Sequence, residues 1–132
     1  MHLAVYQHRA DIRGIVHAHP PTATGFSVAN IGLEQPFLPE VVVRTGLTPL
    51  VPYVIPGGDE LPGSLTPYLQ DHTTLLLGNH GVLTYGPTLV DAMWNMETVE
   101  LNARIYLAAC QLGGPKFLSD AEVQALRARY KP

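Results

Sequence analysis

Three histidines in this sequence follow apolar runs. His17 and His19 stand one residue apart after Ile15 and Val16, and His80 follows the run 75–77. In an extended strand, residues i and i+2 project from the same face, whereas a helix at ~100° per residue would turn them apart. Neutral imidazole binds zinc and similar divalent metals, and three protein ligands with an open position are typical of a catalytic site. The spacing therefore predicts that His17, His19 and His80 bind one divalent metal ion.

The His17–His19 pair also has a plainer interpretation, in which both rings are half-buried polar groups satisfied by backbone or water. For the pair alone this interpretation is favoured. The third histidine favours a metal instead, because two independent strand ends carrying histidine are less expected by chance. Pro20 and Pro21 stop the strand directly after His19, which places the rings at the rim of a sheet, where a substrate can reach. The remaining histidines lack a partner at ligand spacing and are expected to be structural or exposed: His2, His8 and His72.

The elements that would position these rings alternate between strand and helix. Residues 1–8 have the pattern of the end of an amphipathic helix. Strands are predicted at 11–18, 50–55, 73–77 and 82–85, helices at 22–30, 65–70, 88–110 and 119–130, and a short helix or strand at 40–45. Ser119 with Glu122 forms a capping box at the start of the last helix. Interspersed strands and helices indicate an α/β layered domain.

The long helix at 88–110 is predicted to bury a stripe that includes Leu89, Met93 and Cys110, so that Cys110 is a packed core thiol. Its polar face is expected to carry Asp91, Asn95, Thr98 and Asn102. Glu100 and Arg104 stand at the spacing of a favourable ion pair. Glu97 and Glu100 are accordingly interpreted as structural charges.

Length and composition limit the possible functions. A chain of 132 residues has room for one domain, 1–132. Its net charge of -3 and lack of a basic stripe argue against nucleic-acid binding, and no run approaches the ~18 apolar residues of a membrane span. The first residues lack the pattern of a signal peptide, and the single cysteine cannot form an internal disulfide. A soluble cytoplasmic protein is expected.

Four segments carry a family resemblance: 2–6 (HLAVY), 11–21 (DIRGIVHAHPP), 79–81 (NHG) and 96–100 (METVE). Together they resemble the class II aldolase/adducin family, which includes fuculose-phosphate aldolase and ribulose-phosphate 4-epimerase. The resemblance implies a three-layer α/β/α fold with a central, mainly antiparallel sheet, and a homotetramer. It also implies that His17, His19 and His80 hold a divalent metal, most commonly Zn²⁺, with Mn²⁺, Co²⁺ or Fe²⁺ as alternatives.

The function implied by the resemblance is that of a metal-dependent aldolase-like lyase. Its substrate would be a small sugar or sugar-phosphate-like hydroxycarbonyl compound that reacts through a metal-stabilised enediolate. Glu40 falls near the position from which some members send a residue into a neighbouring subunit's site, so it is a candidate for proton transfer. An exposed carboxylate after a proline break is an equally good interpretation.

The family's acid/base glutamate lies a few residues before the position that matches His2, and this sequence starts at Met1. We therefore expect an N-terminally truncated domain that keeps the metal-binding part. The alternative function is a catalytically inactive metal-binding fragment, or an assembly module of the same fold, that lacks this glutamate.

Overall fold

A computed structural model describes residues 1–58 and 60–130 of the chain. The helices are α1 (His2–His8), α2 (Pro21–Val28), α3 (Glu60–Leu65), α4 (Leu89–Gln111) and α5 (Asp120–Arg129), with a π-helical turn at Val41–Thr45. The strands are β1 (Gly14–Ala18), β2 (Leu50–Val51), β3 (Thr74–Leu77) and β4 (Gly81–Gly86). The predicted α/β class is confirmed.

The four strands form one sheet in the order β1-β4-β3-β2. β4 pairs antiparallel with β1 and with β3, and only β2 runs parallel to its neighbour β3. The predicted, mainly antiparallel central sheet is therefore confirmed. In the β1–β4 ladder His17 lies opposite Leu83, and Ala18 lies opposite Val82 at the last pair.

Alternating side chains give the sheet two apolar faces, and helices cover both. Leu75, Leu77 and Leu83 pack with residues of α1 and α3 on one face, while Leu76 and Val82 pack with residues of α2 and α4 on the other. Burying one such leucine contributes about 1.5–3 kcal/mol. The result is the three-layer α/β/α arrangement, with the sheet buried between the two helical layers.

Two predicted elements differ from the structure, and prolines explain both differences. The strand predicted at 50–55 is limited to β2, because Pro52 has no N–H group with which to extend the ladder. A helix was predicted at 65–70, but the observed helix, α3, precedes this range and ends at Leu65, because Pro67 cannot continue a helix. The residues after it form hydrogen-bonded turns, such as the bond from Tyr68 N to Leu65 O at 2.9 Å.

The side chains of α4 are arranged differently from the prediction. Leu89 and Met93 are exposed, and the prediction that Cys110 is a packed core thiol is wrong, since this residue is exposed too. Helix α4 has 23 residues and is about 34 Å long, whereas the six residues of β4 span only about 20 Å. The last turns of the helix therefore extend beyond the sheet.

Asn95 and Asn102 were predicted on the polar face of α4 but are buried. Asn95 faces the sheet, and its Nδ2 donates a hydrogen bond of 3.1 Å to the carbonyl of Tyr85. Hydrophobic spacing cannot show this placement, because a buried amide is tolerated only where a specific partner satisfies it. In the described part of the chain, none of the helices combines the length and the apolar content of a membrane span.

Candidate metal centre

The three predicted histidines meet at one end of the sheet. His17 belongs to β1, His19 directly follows its last ladder residue, and His80 lies in the turn between β3 and β4. The three ring centroids are 4.8–5.2 Å apart. One ligand nitrogen from each ring falls within 4.8 Å of the other two. The i, i+2 spacing on β1 and the tight turn after β3 thus bring together side chains that are far apart in the sequence.

A backbone carbonyl sets the tautomer of His17. The Nδ1 atom of His17 lies 2.9 Å from the carbonyl oxygen of Val82. Because a carbonyl oxygen only accepts, Nδ1 must carry the proton, and the lone pair of the neutral ring is then on Nε2. Metal-binding histidines commonly donate their second ring N–H to an acceptor in this way, which fixes the ring and makes it a better ligand.

The spacing of two ring nitrogens suits a shared ion. The Nε2 atoms of His17 and His19 lie 3.3 Å apart. Two nitrogens bound to one tetrahedral zinc at bond lengths of ~2.0–2.1 Å are about 3.3–3.4 Å apart. In the absence of a metal, the Nε2–H group of His19 can donate to the lone pair of His17. The observed separation therefore fits both a hydrogen bond and a pair of metal ligands, and the rings need little rearrangement to change from one to the other.

The electrostatic environment keeps two of the rings neutral. Burial lowers the pKa of His17, and the neighbouring imidazoles, chiefly His80, lower it further. Burial also lowers the pKa of His80, with a smaller effect from His19. A protonated imidazole cannot bind a metal, so these lowered pKa values keep the ligand lone pairs available at neutral pH.

The turn that presents His80 depends on two neighbouring residues. Asn79 has a positive φ of 51°, a conformation that asparagine tolerates better than most residues, and His80 N donates to Leu77 O at 3.0 Å. Gly81 lets His19 approach, because a Cβ atom there would collide with Cδ2 of the His19 ring and lie 2.7 Å from the carbonyl oxygen of Ala18. Sequence reasoning missed this role of Gly81, although a glycine directly after one of the three histidines was the available signal.

The structure does not bring Glu40 to the histidines within one chain. Glu40 is exposed and immediately precedes the π-helical turn, where it lines a surface cleft with Val43, Leu126 and Tyr130. Among the described residues, the ligand group at the sheet edge consists of imidazoles and includes no carboxylate. A role for Glu40 would therefore have to be performed in the site of another subunit.

The carboxylate of Glu100, on α4, contacts the start of α2, the helix that follows His19. It accepts hydrogen bonds from the backbone N–H groups of Thr22 and Ala23, which lie three and four residues after His19. The predicted ion pair between Glu100 and Arg104 does not form in the described part of the chain, where the salt bridge present joins Arg9 and Asp11. Glu100 instead satisfies the first turn of another helix.

Comparison with known proteins identifies the family to which this fold belongs. The model of the family described as "Class II Aldolase and Adducin N-terminal domain" matches residues 1–107. This match covers most of the chain, including the segments that hold all three histidines. The chain therefore belongs to the class II aldolase and adducin family.

Individual relatives are named as a decarboxylase or as aldolases of phosphorylated compounds. The 3-oxo-tetronate 4-phosphate decarboxylase of Escherichia coli K12 is 34% identical over 96% of this chain and 61% of its own length. The 5-deoxy-D-ribulose 1-phosphate aldolase of Bacillus thuringiensis is 30% identical over 99% of this chain and 61% of its own length. A solved structure of L-fuculose 1-phosphate aldolase superposes with a TM-score of 0.88 at 31% identity, covering 99% of this chain and 61% of that one. The chain thus spans about three fifths of the length of these relatives.

Proposed function

We propose that residues 1–132 form one domain that holds a divalent metal ion, preferentially Zn²⁺, at His17, His19 and His80. The observation that carries the proposal is the convergence of three imidazoles, one of which has its lone pair directed by the Val82 carbonyl. When bound, such an ion would supply a Lewis acid, which is the chemistry that a reaction through an enediolate needs. His17, His19 and His80 would supply three neutral nitrogen ligands, a number typical of catalytic sites that keep room for a substrate.

We further propose that the domain belongs to a lyase that acts on a small phosphorylated hydroxycarbonyl compound. The names of the relatives support this substrate class, since they specify a decarboxylase of an oxo-acid phosphate and aldolases of sugar phosphates. Aldol cleavage and decarboxylation both break a carbon–carbon bond and leave the electron pair next to a carbonyl group. By holding a Lewis acid beside such a carbonyl, His17, His19 and His80 would serve either reaction.

Glu40 remains our candidate for proton transfer, acting in the site of a neighbouring subunit of a homo-oligomer such as the tetramer of the family. Its exposure and its separation from the histidines of its own chain agree with this role. The proposal requires that Glu40→Gln lowers turnover without lowering metal content.

A second candidate function is a metal-binding or assembly module without turnover. It is favoured by one observation, namely that the ligand group among the described residues holds imidazoles and no carboxylate that could move a proton. The two candidates share the metal site and differ in catalysis, so one series of measurements separates them.

The first measurement is metal content after reconstitution and removal of loosely bound ions. We expect about one zinc per chain in the wild type. The metal affinity of His17→Ala should fall by more than roughly 10–100-fold, the decrease that follows removal of a group that only orients a ligand. His8→Ala is the matched control, because the His8 ring bonds to the carbonyl of Ala4 in its own helix at 2.8 Å. Absence of bound metal in the wild type, or equal binding in His17→Ala, would refute the metal site.

The second measurement is turnover of the metal-loaded protein on phosphorylated ketoses and oxo-acid phosphates, followed as release of aldehyde or carbon dioxide. Turnover that disappears in His17→Ala supports the lyase. Stoichiometric metal with no turnover of any of these compounds supports the module without catalysis.

A further inference from the structure

His19 is the ligand that the sheet holds least firmly. The β1–β4 ladder ends at Ala18, so His19 lies beyond the last paired residue and is exposed. Its two ligand partners are held by the β1–β4 ladder and by the turn between β3 and β4. The position of His19 therefore depends on whatever fixes the chain immediately after it.

The chain after His19 is short and stiff. Pro20 and Pro21 follow, and Pro20 has a φ of -63° in an extended conformation from which α2 starts at Pro21. Proline restricts φ to near -65°, so these two residues transmit the position of the first turn of α2 to the backbone of His19 with little freedom.

The first turn of α2 is held by a side chain of another helix. A helix leaves its first N–H groups without partners inside the helix, and the N-cap residue, Pro20, has no side chain that can accept a bond. The carboxylate of Glu100 accepts from Thr22 N at 3.1–3.2 Å and from Ala23 N at 2.9 Å. Its negative charge also interacts favourably with the positive end of the helix dipole.

Glu100 is itself placed firmly. It lies in the middle of α4, next to Val99, which is 1% exposed in the core between α4 and the sheet. The same sheet carries β1 and β4. Glu100 therefore connects α2 to the part of the fold that already holds His17.

We infer that Glu100 is a positioning residue for the metal centre: by anchoring the first turn of α2 it fixes His19, and its loss weakens binding of a divalent metal. The inference rests on the proposed metal binding by His17, His19 and His80. It assigns to Glu100 a function other than the ion pair with Arg104 that its spacing on α4 predicts.

The test is the dissociation constant of Zn²⁺ or Co²⁺, measured by competition with a chromogenic chelator on the folded protein. Glu100→Ala should weaken binding about 10–100-fold, the usual range for removing a group that orients a ligand. Glu100→Gln keeps an oxygen acceptor and should recover most of the affinity. Glu97→Ala is the matched control, since it removes an exposed carboxylate one turn earlier on the same helix and should change the affinity less than twofold.

Two further measurements separate positioning from general stability. Amide hydrogen exchange of Thr22 and Ala23 should speed up in Glu100→Ala, while exchange in β4 should not. In a His19→Ala background, Glu100→Ala should have no further effect on affinity, because the residue through which it acts is absent.

Each outcome decides the inference. Unchanged affinity in Glu100→Ala, or an equal loss with and without His19, would overturn it even if thermal stability falls. If the wild type itself binds neither metal, the proposed function fails together with the inference. If the wild type binds and His17→Ala does not, the metal site stands whatever the result for Glu100.

Discussion

Replacement of Gly81 by alanine tests the geometry of the proposed metal centre without removing any of its three histidines. Gly81 is the first residue of β4, and its φ is outside the positive range, so alanine can adopt the same backbone conformation. The added methyl group would meet Cδ2 of His19 at less than van der Waals distance and would lie 2.7 Å from the carbonyl oxygen of Ala18. The perturbation is therefore steric and falls on the ring of His19 and on the backbone immediately before it.

The magnitude follows from how far His19 must move. Carbon atoms pack favourably at ~3.5–4.0 Å, so the imidazole has to retreat by about 1 Å. A displacement of that size is half of a zinc–nitrogen bond length of about 2.0–2.1 Å. We expect Gly81→Ala to weaken metal binding about 10–100-fold, or about 1.4–2.7 kcal/mol, in the range of variants that misplace a ligand without deleting it.

The assay is metal affinity by chelator competition, with Gly25→Ala as the matched control. Gly25 lies in α2, and a Cβ atom there would have open space around it. Gly25→Ala should keep the affinity and stabilise the helix slightly, by about 0.5–1 kcal/mol. Equal affinities for Gly81→Ala and the wild type, alongside weak binding by His19→Ala, would show that the close approach of Gly81 and His19 is not required.

Other predictions concern protonation, a buried hydroxyl, a buried hydrogen bond and association. Folding lowers the pKa of His17 and His80 below the ordinary value of about 6.5, so the unfolded chain binds protons first as the pH falls. The free energy of unfolding of the metal-free protein should therefore fall as the pH drops below about 6.5. A urea midpoint that is flat from pH 8 to pH 5 would contradict this. The hydroxyl of Tyr85 is buried without a hydrogen-bond partner in the described part of the chain, so Tyr85→Phe should leave the melting temperature unchanged or raise it. Thr84→Val makes the contrasting change, since it removes a 2.7 Å bond to the carbonyl of Ala92, and should cost about 1–2 kcal/mol in chemical denaturation. Trp94 and other large apolar residues of α4 are about half exposed, so light scattering should show an oligomer, and a stable monomer would argue against association through this helix.

The meeting of the three histidines could be predicted from sequence because it depends on local rules. Strand periodicity puts His17 and His19 on one face, and the prolines after them end the strand at a rim. His80 follows a continuous apolar run, which indicated a second strand end. The capping box of Ser119 and Glu122 was predicted for the same reason, and both of its hydrogen bonds are present.

The environment of α4 could not be predicted in the same way. Periodicity assigns a residue to a face of the helix but does not tell how far the partner sheet extends, so Cys110 was expected in the core and lies outside it. It also treats every polar residue as solvated, although Asn95 is buried against the carbonyl of Tyr85. Both errors arise because burial depends on the neighbouring element and not on the helix alone.

The sequence by itself determined which side chains could bind a metal, since imidazole chemistry and a spacing of two residues in a strand are properties of the chain. Only the tertiary structure decided how those rings are held. The carbonyl of Val82 directs His17, the missing side chain of Gly81 admits His19, and Glu100 reaches across from α4 to the helix that follows. These three contacts join residues that are more than sixty positions apart, and such contacts depend on packing distances that no local pattern encodes.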